Sequence, residues 1–235
     1  MTISTRTHSY DISGKSYKAF IASHDAAAPT ILICHAWAGR TEFENQKAEA
    51  FAALGYTAIA IDLFGSDVVG TSTEECQALM TPFMEDRAKL RELLLANITE
   101  MKWLDQVDAD NVAVAGYCFG GLCAIDVARA NAAVKGVISY HGLFTSPDKT
   151  ADKIDPKLLV HHGWDDPMAP PADVVSLGTE LTKANADWQL HAYGNTMHAF
   201  TNPKANDPDF GTVYNADADR RSWQSTIEFL EELFA

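Results

Sequence analysis

Residues Gly116-Tyr117-Cys118-Phe119-Gly120-Gly121 place a thiol among small residues directly after the apolar run Val112-Ala113-Val114-Ala115. That run reads as a buried strand, and the glycines after it permit a turn too sharp for residues that carry a Cβ. A nucleophile at the crest of a strand-to-helix turn adopts a strained backbone conformation, so the positions two before and two after it must be small. Gly116 and Gly120 meet that demand. The next run, Leu122 to Arg129, reads as a helix whose first amides and positive dipole end point toward Cys118, a setting that favours a thiolate.

The rest of the chain repeats this alternation. Short β-rich segments at Thr30 to Cys34, Thr57 to Asp62, Asn111 to Gly116, Val134 to Tyr140, Lys157 to His162 and Trp188 to Tyr193 are separated by longer helical patterns. The alternation predicts an α/β fold, a mostly parallel sheet covered by helices. Two earlier segments, Thr7 to Ile12 and Ser16 to Ala22, joined through Ser13-Gly14-Lys15, predict an N-terminal antiparallel hairpin. Leu90, Leu94, Ile98 and Met101 form a core stripe within a helix expected over Asp86 to Leu104. A closing helix is expected to dock through Trp223, Ile227, Leu230 and Phe234. Between His198 and that helix, the polar, proline-broken stretch from Asn202 to Pro208 predicts an ordered loop or a lid edge.

At 235 residues, 47% of them hydrophobic, the chain suits a single domain over 1–235. Its net charge of -14 repels phosphate backbones and anionic membranes, so no nucleic acid or membrane partner is expected. No run approaches the length of an apolar membrane span and no signal-peptide pattern opens the chain, so the expected compartment is the cytoplasm. Cys34, Cys76, Cys118 and Cys123 then read as reduced thiols. None shows zinc-site spacing, and the adjacent His161 and His162 on one strand point to opposite faces, so neither a metal nor a cofactor is expected.

A thiol needs a base to become reactive at neutral pH. Candidates follow in order: Cys118 after one strand, Asp165 and Asp166 after another, and His198 after the last. The order nucleophile, acid, histidine is that of α/β-hydrolases, and ligands of open α/β sheets gather beyond the carboxyl ends of the strands, so separated loops can converge. Either aspartate could orient the histidine. His35, Trp37, Tyr117, His141 and Trp164 fall at strand ends and are candidates for lining a substrate pocket, each equally able to serve in packing. Arg40 and Arg87 are candidates for a substrate anion, with a local ion pair the plainer use of either.

These motifs resemble the dienelactone hydrolase family, the carboxymethylenebutenolidases, over nearly the whole chain. The cysteine-bearing elbow at residues 116 to 121 is the most specific sign, because most α/β-hydrolases carry serine there; the Asp166-Pro167 turn and His198-Ala199-Phe200 support it. The resemblance implies an α/β-hydrolase fold and a cysteine-dependent hydrolase of a small-molecule ester or lactone that passes through a thioester acyl-enzyme. It implies Cys118 as nucleophile, Asp166 as acid, His198 as base, and the backbone N–H groups of Trp37 and Phe119 as the oxyanion hole. It leaves the protein a monomer or small homo-oligomer. Two positions depart from the family pattern. Ala36 stands where a glutamate helps to control the thiol, and Asn202 stands where an arginine holds the substrate carboxylate. Two other readings share the motif: a thiol redox or peroxide-sensing protein in which Cys123 resolves a Cys118 sulfenic acid, and a non-catalytic binding module.

Overall fold

The computed structural model describes residues 2–147 and 150–235. The chain opens on the expected hairpin, β1 (Ser4–Ile12) and β2 (Lys15–Ser23), paired antiparallel from Ser4 opposite Ser23 to Ile12 opposite Lys15. Ser13 and Gly14 turn it with positive φ values of 53° and 78°, which suits the two-residue turns that match strand twist. Alternation in β2 buries Tyr17, Ala19 and Ile21, whereas most of β1, at the edge of the sheet, is exposed.

There follow β3 (Ala28–Cys34), α1 (Glu42–Ala53), β4 (Thr57–Ala60), α2 (Thr73–Glu85), α3 (Arg87–Met101), β5 (Val107–Tyr117), α4 (Phe119–Arg129), β6 (Gly136–Tyr140) and β7 (Lys157–Gly163). The chain continues through α5 (Pro171–Lys183), β8 (Trp188–Tyr193), β9 (Asn206–Asp207), β10 (Thr212–Val213) and α6 (Ala216–Leu233). Eight strands form one sheet in the order β1-β2-β4-β3-β5-β6-β7-β8, with β9 and β10 paired separately. The pairs β3·β4, β6·β7 and β7·β8 are parallel; β1·β2 and β2·β4 are antiparallel. By its internal packing the chain divides into two compact units, Met1–Ala115 and Gly116–Ala235.

In the first unit, α3 buries Leu90, Leu94, Ile98 and Met101 as the periodicity required, and adds Asn97. Asn97 accepts a 2.6 Å hydrogen bond from the Tyr10 hydroxyl, so the polar residue on this apolar stripe is satisfied. The helix starts one residue later than expected because Asp86 caps it, accepting from Lys89 N, and it stops at Met101 rather than Leu104. Thr41 and Glu44 cap α1 with a reciprocal box, and the buried Glu44 carboxylate also accepts from Ala36 N at 3.1 Å. That bond fixes the loop after β3.

In the second unit, α4 is buried along its whole length, the mark of an interior helix. The closing helix α6 docks differently from expectation: its buried residues are Ala218, Ser222, Thr226, Phe229 and Leu230, while Trp223, Ile227 and Phe234 are only partly covered. Polar chemistry decides the rotation. The Thr226 hydroxyl meets both the Tyr140 hydroxyl and His161 Nε2, so a stripe led by small and hydroxyl residues faces the sheet. The stretch after Asn202 is an ordered segment containing β9, which pairs with β10 through Asp207 opposite Thr212 and Asn206 opposite Val213.

Candidate active site

Cys118 lies between β5 and α4 with φ 58° and ψ -117°, outside the conformations comfortable for a residue with a Cβ. Gly116 makes that turn sterically possible: a Cβ there would lie 1.9 Å from Gly120 O. The Cys118 carbonyl accepts from Gly121 N at 2.9 Å and Leu122 N at 3.3 Å, while its own N–H is shared between Tyr140 O and His141 Nδ1. The turn is therefore fastened on both sides of the thiol. All four cysteines are free, but only Cys118 is partly exposed; Cys34, Cys76 and Cys123 are buried, and burial pushes the Cys34 thiol up to about 12.

Asp166 closes a turn after β7, donating from its N–H to Gly163 O. One carboxylate oxygen accepts from Met168 N at 2.8 Å, and the other lies 2.7 Å from His198 Nδ1. Asp165 is exposed. Of the two adjacent acids, then, Asp166 meets the histidine. Gly163 allows the two loops to touch, since a Cβ on it would lie 2.5 Å from Thr196 O and 2.6 Å from Met197 O. Asp165 N donates to Thr196 O at 3.0 Å across the same contact.

His198 is held by backbone as well as side chain. Its N–H donates to Gly211 O and its carbonyl accepts from Val213 N, both at 3.0 Å, so the strap from β9 to β10 grips the histidine. Ala199 follows with φ 57°. Burial works against an imidazolium here, but the neighbouring Cys118 and the hydrogen-bonded Asp166 together outweigh it and push His198 up to about 10. Nε2 is buried and lacks a hydrogen bond of normal geometry among the described residues. With Nδ1 committed to Asp166, Nε2 is the nitrogen left for proton transfer.

The other candidates divide. Phe119 is the first residue of α4. Trp37 is partly exposed in the loop after β3. Trp164 is 44% exposed at the end of β7. Three residues expected to line a pocket instead serve the scaffold. His35 is fully buried, with Nδ1 2.7 Å from Ala36 O and Nε2 accepting from Leu63 N. Tyr117 is fully buried and stacked on Tyr140 at 4.6 Å. His141 supports the elbow: Nδ1 accepts from Cys118 N, Nε2 meets the Thr201 hydroxyl at 2.8 Å, and its ring stands edge-on to His198 at 5.1 Å. Each follows or ends a strand, as a pocket residue would, but its polar atoms or its ring are taken up inside the unit.

Arg87 opens α3 at its N-terminus. Arg40 donates to Lys18 O and Asn45 Oδ1. Asn202 accepts from Lys204 N and shapes its own turn. Sequence reasoning missed Gly163, Gly211 and the strap, whose only signal was glycine in otherwise ordinary loops. Among the described residues no group of three or more His, Cys, Asp or Glu is gathered as a metal would require.

The family model of the "Dienelactone hydrolase family" matches residues 17–234. A Caenorhabditis elegans protein, "Uncharacterized protein K02A2.1", is 35% identical over 151 residues, covering 63% of this chain and 96% of that one. The solved structure "m3DLH" superposes with a TM-score of 0.94 at 27% identity and covers 99% of each chain. A dienelactone hydrolase-like promiscuous phosphotriesterase, P91, from metagenomic libraries superposes with a TM-score of 0.91 at 26% identity over 98% of each chain. With the family model spanning nearly the whole sequence and the sheet order and helices already described, this chain belongs to the dienelactone hydrolase family, hydrolases of α/β-hydrolase fold.

Proposed function

We propose that the protein hydrolyses a carboxylic ester or lactone with Cys118 as nucleophile, His198 as acid and base, and Asp166 as the group that orients His198. The observation that carries this reading is the state of His198: Nδ1 is held by Asp166, Nε2 has no hydrogen bond of normal geometry among the described residues, and the neighbouring Cys118 and Asp166 push the ring up to about 10. A thiolate–imidazolium pair follows. The sulfur attacks the carbonyl carbon, the tetrahedral intermediate collapses by breaking the C–O bond, and His198 Nε2 gives its proton to the leaving oxygen. His198 then takes a proton from water as that water attacks the thioester, and the thiolate leaves. The N–H group of Phe119, at the start of α4, is a proposed oxyanion donor; first-turn amides have no intrahelical acceptor and are suited to that task.

The acyl group need not be anionic. Asn202 occupies the place where the family holds a carboxylate with arginine, and its side chain is engaged in its own turn. A net charge of -14 also disfavours anionic substrates. The test is a panel of neutral lactones, aryl esters, thioesters and, prompted by P91, a phosphotriester, with Cys118→Ala as blank. Turnover of neutral esters or lactones that disappears in the blank is expected; equal turnover in both proteins contradicts the assignment. A redox reading with Cys123 as resolving thiol is disfavoured, because Cys123 is fully buried within α4 and could meet Cys118 only if the helix start unwound.

A further inference from the structure

We propose that His162 is a positioning residue for the triad, a buried imidazole whose own protonation decides how firmly Asp166 and His198 remain paired. This rests on the reading of His198 just given. His162 and His161 are neighbours on β7 that point to opposite faces, and both are completely buried. His161 has both nitrogens engaged, Nδ1 with the Tyr193 hydroxyl at 3.0 Å and Nε2 with Thr226 at 3.1 Å. His162 has neither nitrogen hydrogen-bonded among the described residues. Buried polar atoms normally find partners, so a ring with two open nitrogens four residues before the catalytic acid calls for an explanation.

Its surroundings supply one. Phe144, from the loop after β6, lies 5.3 Å away ring to ring, and Trp164, just beyond β7, stands edge-on at 6.4 Å. Neither carries charge. The charged groups beside His162 are Asp166, whose N–H closes a turn onto the carbonyl of the adjacent Gly163, and His198, whose loop meets Gly163 at the Thr196 and Met197 carbonyls. Burial lowers its proton affinity most strongly, Asp166 raises it and His198 lowers it further. While His198 is a cation, His162 stays neutral and Asp166 serves His198 alone. When acid protonates His162, a second cation competes for Asp166 and repels the imidazolium, so the thiolate loses its partner.

The experiment has two arms on the full chain. NMR titration of the His162 ring is expected to move to higher pH in His198→Gln, where the opposing cation is gone, and to lower pH in Asp166→Asn. A titration unmoved by both substitutions overturns the proposal. In the second arm, kcat/KM for an activated ester is followed against pH in His162→Gln and His162→Phe, the former keeping a polar ring substitute if the latter does not fold. The acid limb, scaled to each variant's own plateau, is expected to move to lower pH by about one unit. An acid limb identical to wild type overturns the proposal, and so does one that moves equally when Phe144, which carries no charge, is replaced by Leu. If wild type hydrolyses no ester, the hydrolase reading fails while the NMR arm still decides the role of His162.

Discussion

The second unit contains two buried charge systems, and they are built on opposite principles. Arg129, at the end of α4, is 1% exposed, and all five of its N–H donors are matched: two by the Glu180 carboxylate at 2.7 and 2.8 Å, one by Asp126, and two by the carbonyls of Phe144 and Thr145. It ties α4 to α5 and to the loop after β6. The Cys118–His198–Asp166 system is equally enclosed at Asp166 and His198, yet among the described residues it leaves Nε2 without a hydrogen bond of normal geometry, and Cys118 is partly exposed. A buried charge network that closes on itself holds structure; one that leaves a ring nitrogen open beside a partly exposed cysteine is the arrangement the proposed chemistry needs.

Backbone strain follows the same division. Five of the eight non-glycine residues with positive φ among the described residues, Ser13, Asp67, Asn131, Asn185 and Asn195, are short polar residues of the kind that tolerate it in turns. The remaining three, Cys118, His141 and Ala199, are the proposed nucleophile, the ring beneath its amide and the residue after the proposed base His198. Strain outside the ordinary turns is concentrated around the proposed site.

The contrast between the closed and open systems breaks most visibly at the sulfur. Cys118→Ala is expected to lower kcat/KM at least about 10⁴-fold, as read by initial rates with an activated ester, while circular dichroism melting shows little change. Next in size, Asp166→Asn should lower kcat by about 10³–10⁴-fold, since the amide cannot hold His198 in the tautomer that bares Nε2. Stopped-flow or steady-state rates check it. Arg129→Met reverses the pattern. It leaves Glu180 and the buried Asp126 without their cation and should destabilise the fold by about 3–5 kcal/mol in urea denaturation, with turnover per folded molecule retained.

Cys118→Gly sharpens the contrast from the other side: removing the Cβ from φ 58° should raise stability by roughly 1–2 kcal/mol in the same denaturation assay while abolishing activity. The smallest effect is a titration. NMR should find His198 changing charge near pH 10, and substantially lower in Cys118→Ser, where the thiolate's charge and hydrogen bond are lost. Because the folded-state value is raised above the ordinary 6.5, the stability contributed by His198 is fully present below about pH 6.5 and is lost as pH rises through about 10.

Much of this was legible in the sequence, and the exceptions have physical causes. The parallel strands, the hairpin and the α3 stripe were visible because period and turn chemistry are local properties. Cys118 and His198 were visible because an elbow and a histidine after the last strand leave marks in the chain. What periodicity could not show was which polar atoms find partners. The face of α6 is set by Thr226 bridging Tyr140 and His161, which no apolar count predicts. His35, Tyr117 and His141 sit at strand termini as pocket residues would, and only their hydrogen bonds and ring stacking assign them to the scaffold. Only family resemblance told the adjacent aspartates apart in the sequence; the physical ground for the choice is the distance from Asp166 to His198.

The central claim is that Cys118 takes up an acyl group, and rapid acid quench during turnover of an activated aryl ester, followed by peptide mass spectrometry, tests it directly. The account predicts an acyl adduct on the peptide containing Cys118, labile to hydroxylamine, accumulating in Asp166→Asn and absent in Cys118→Ala. Full ester turnover in Cys118→Ala, or an acyl group carried on another residue, would contradict it.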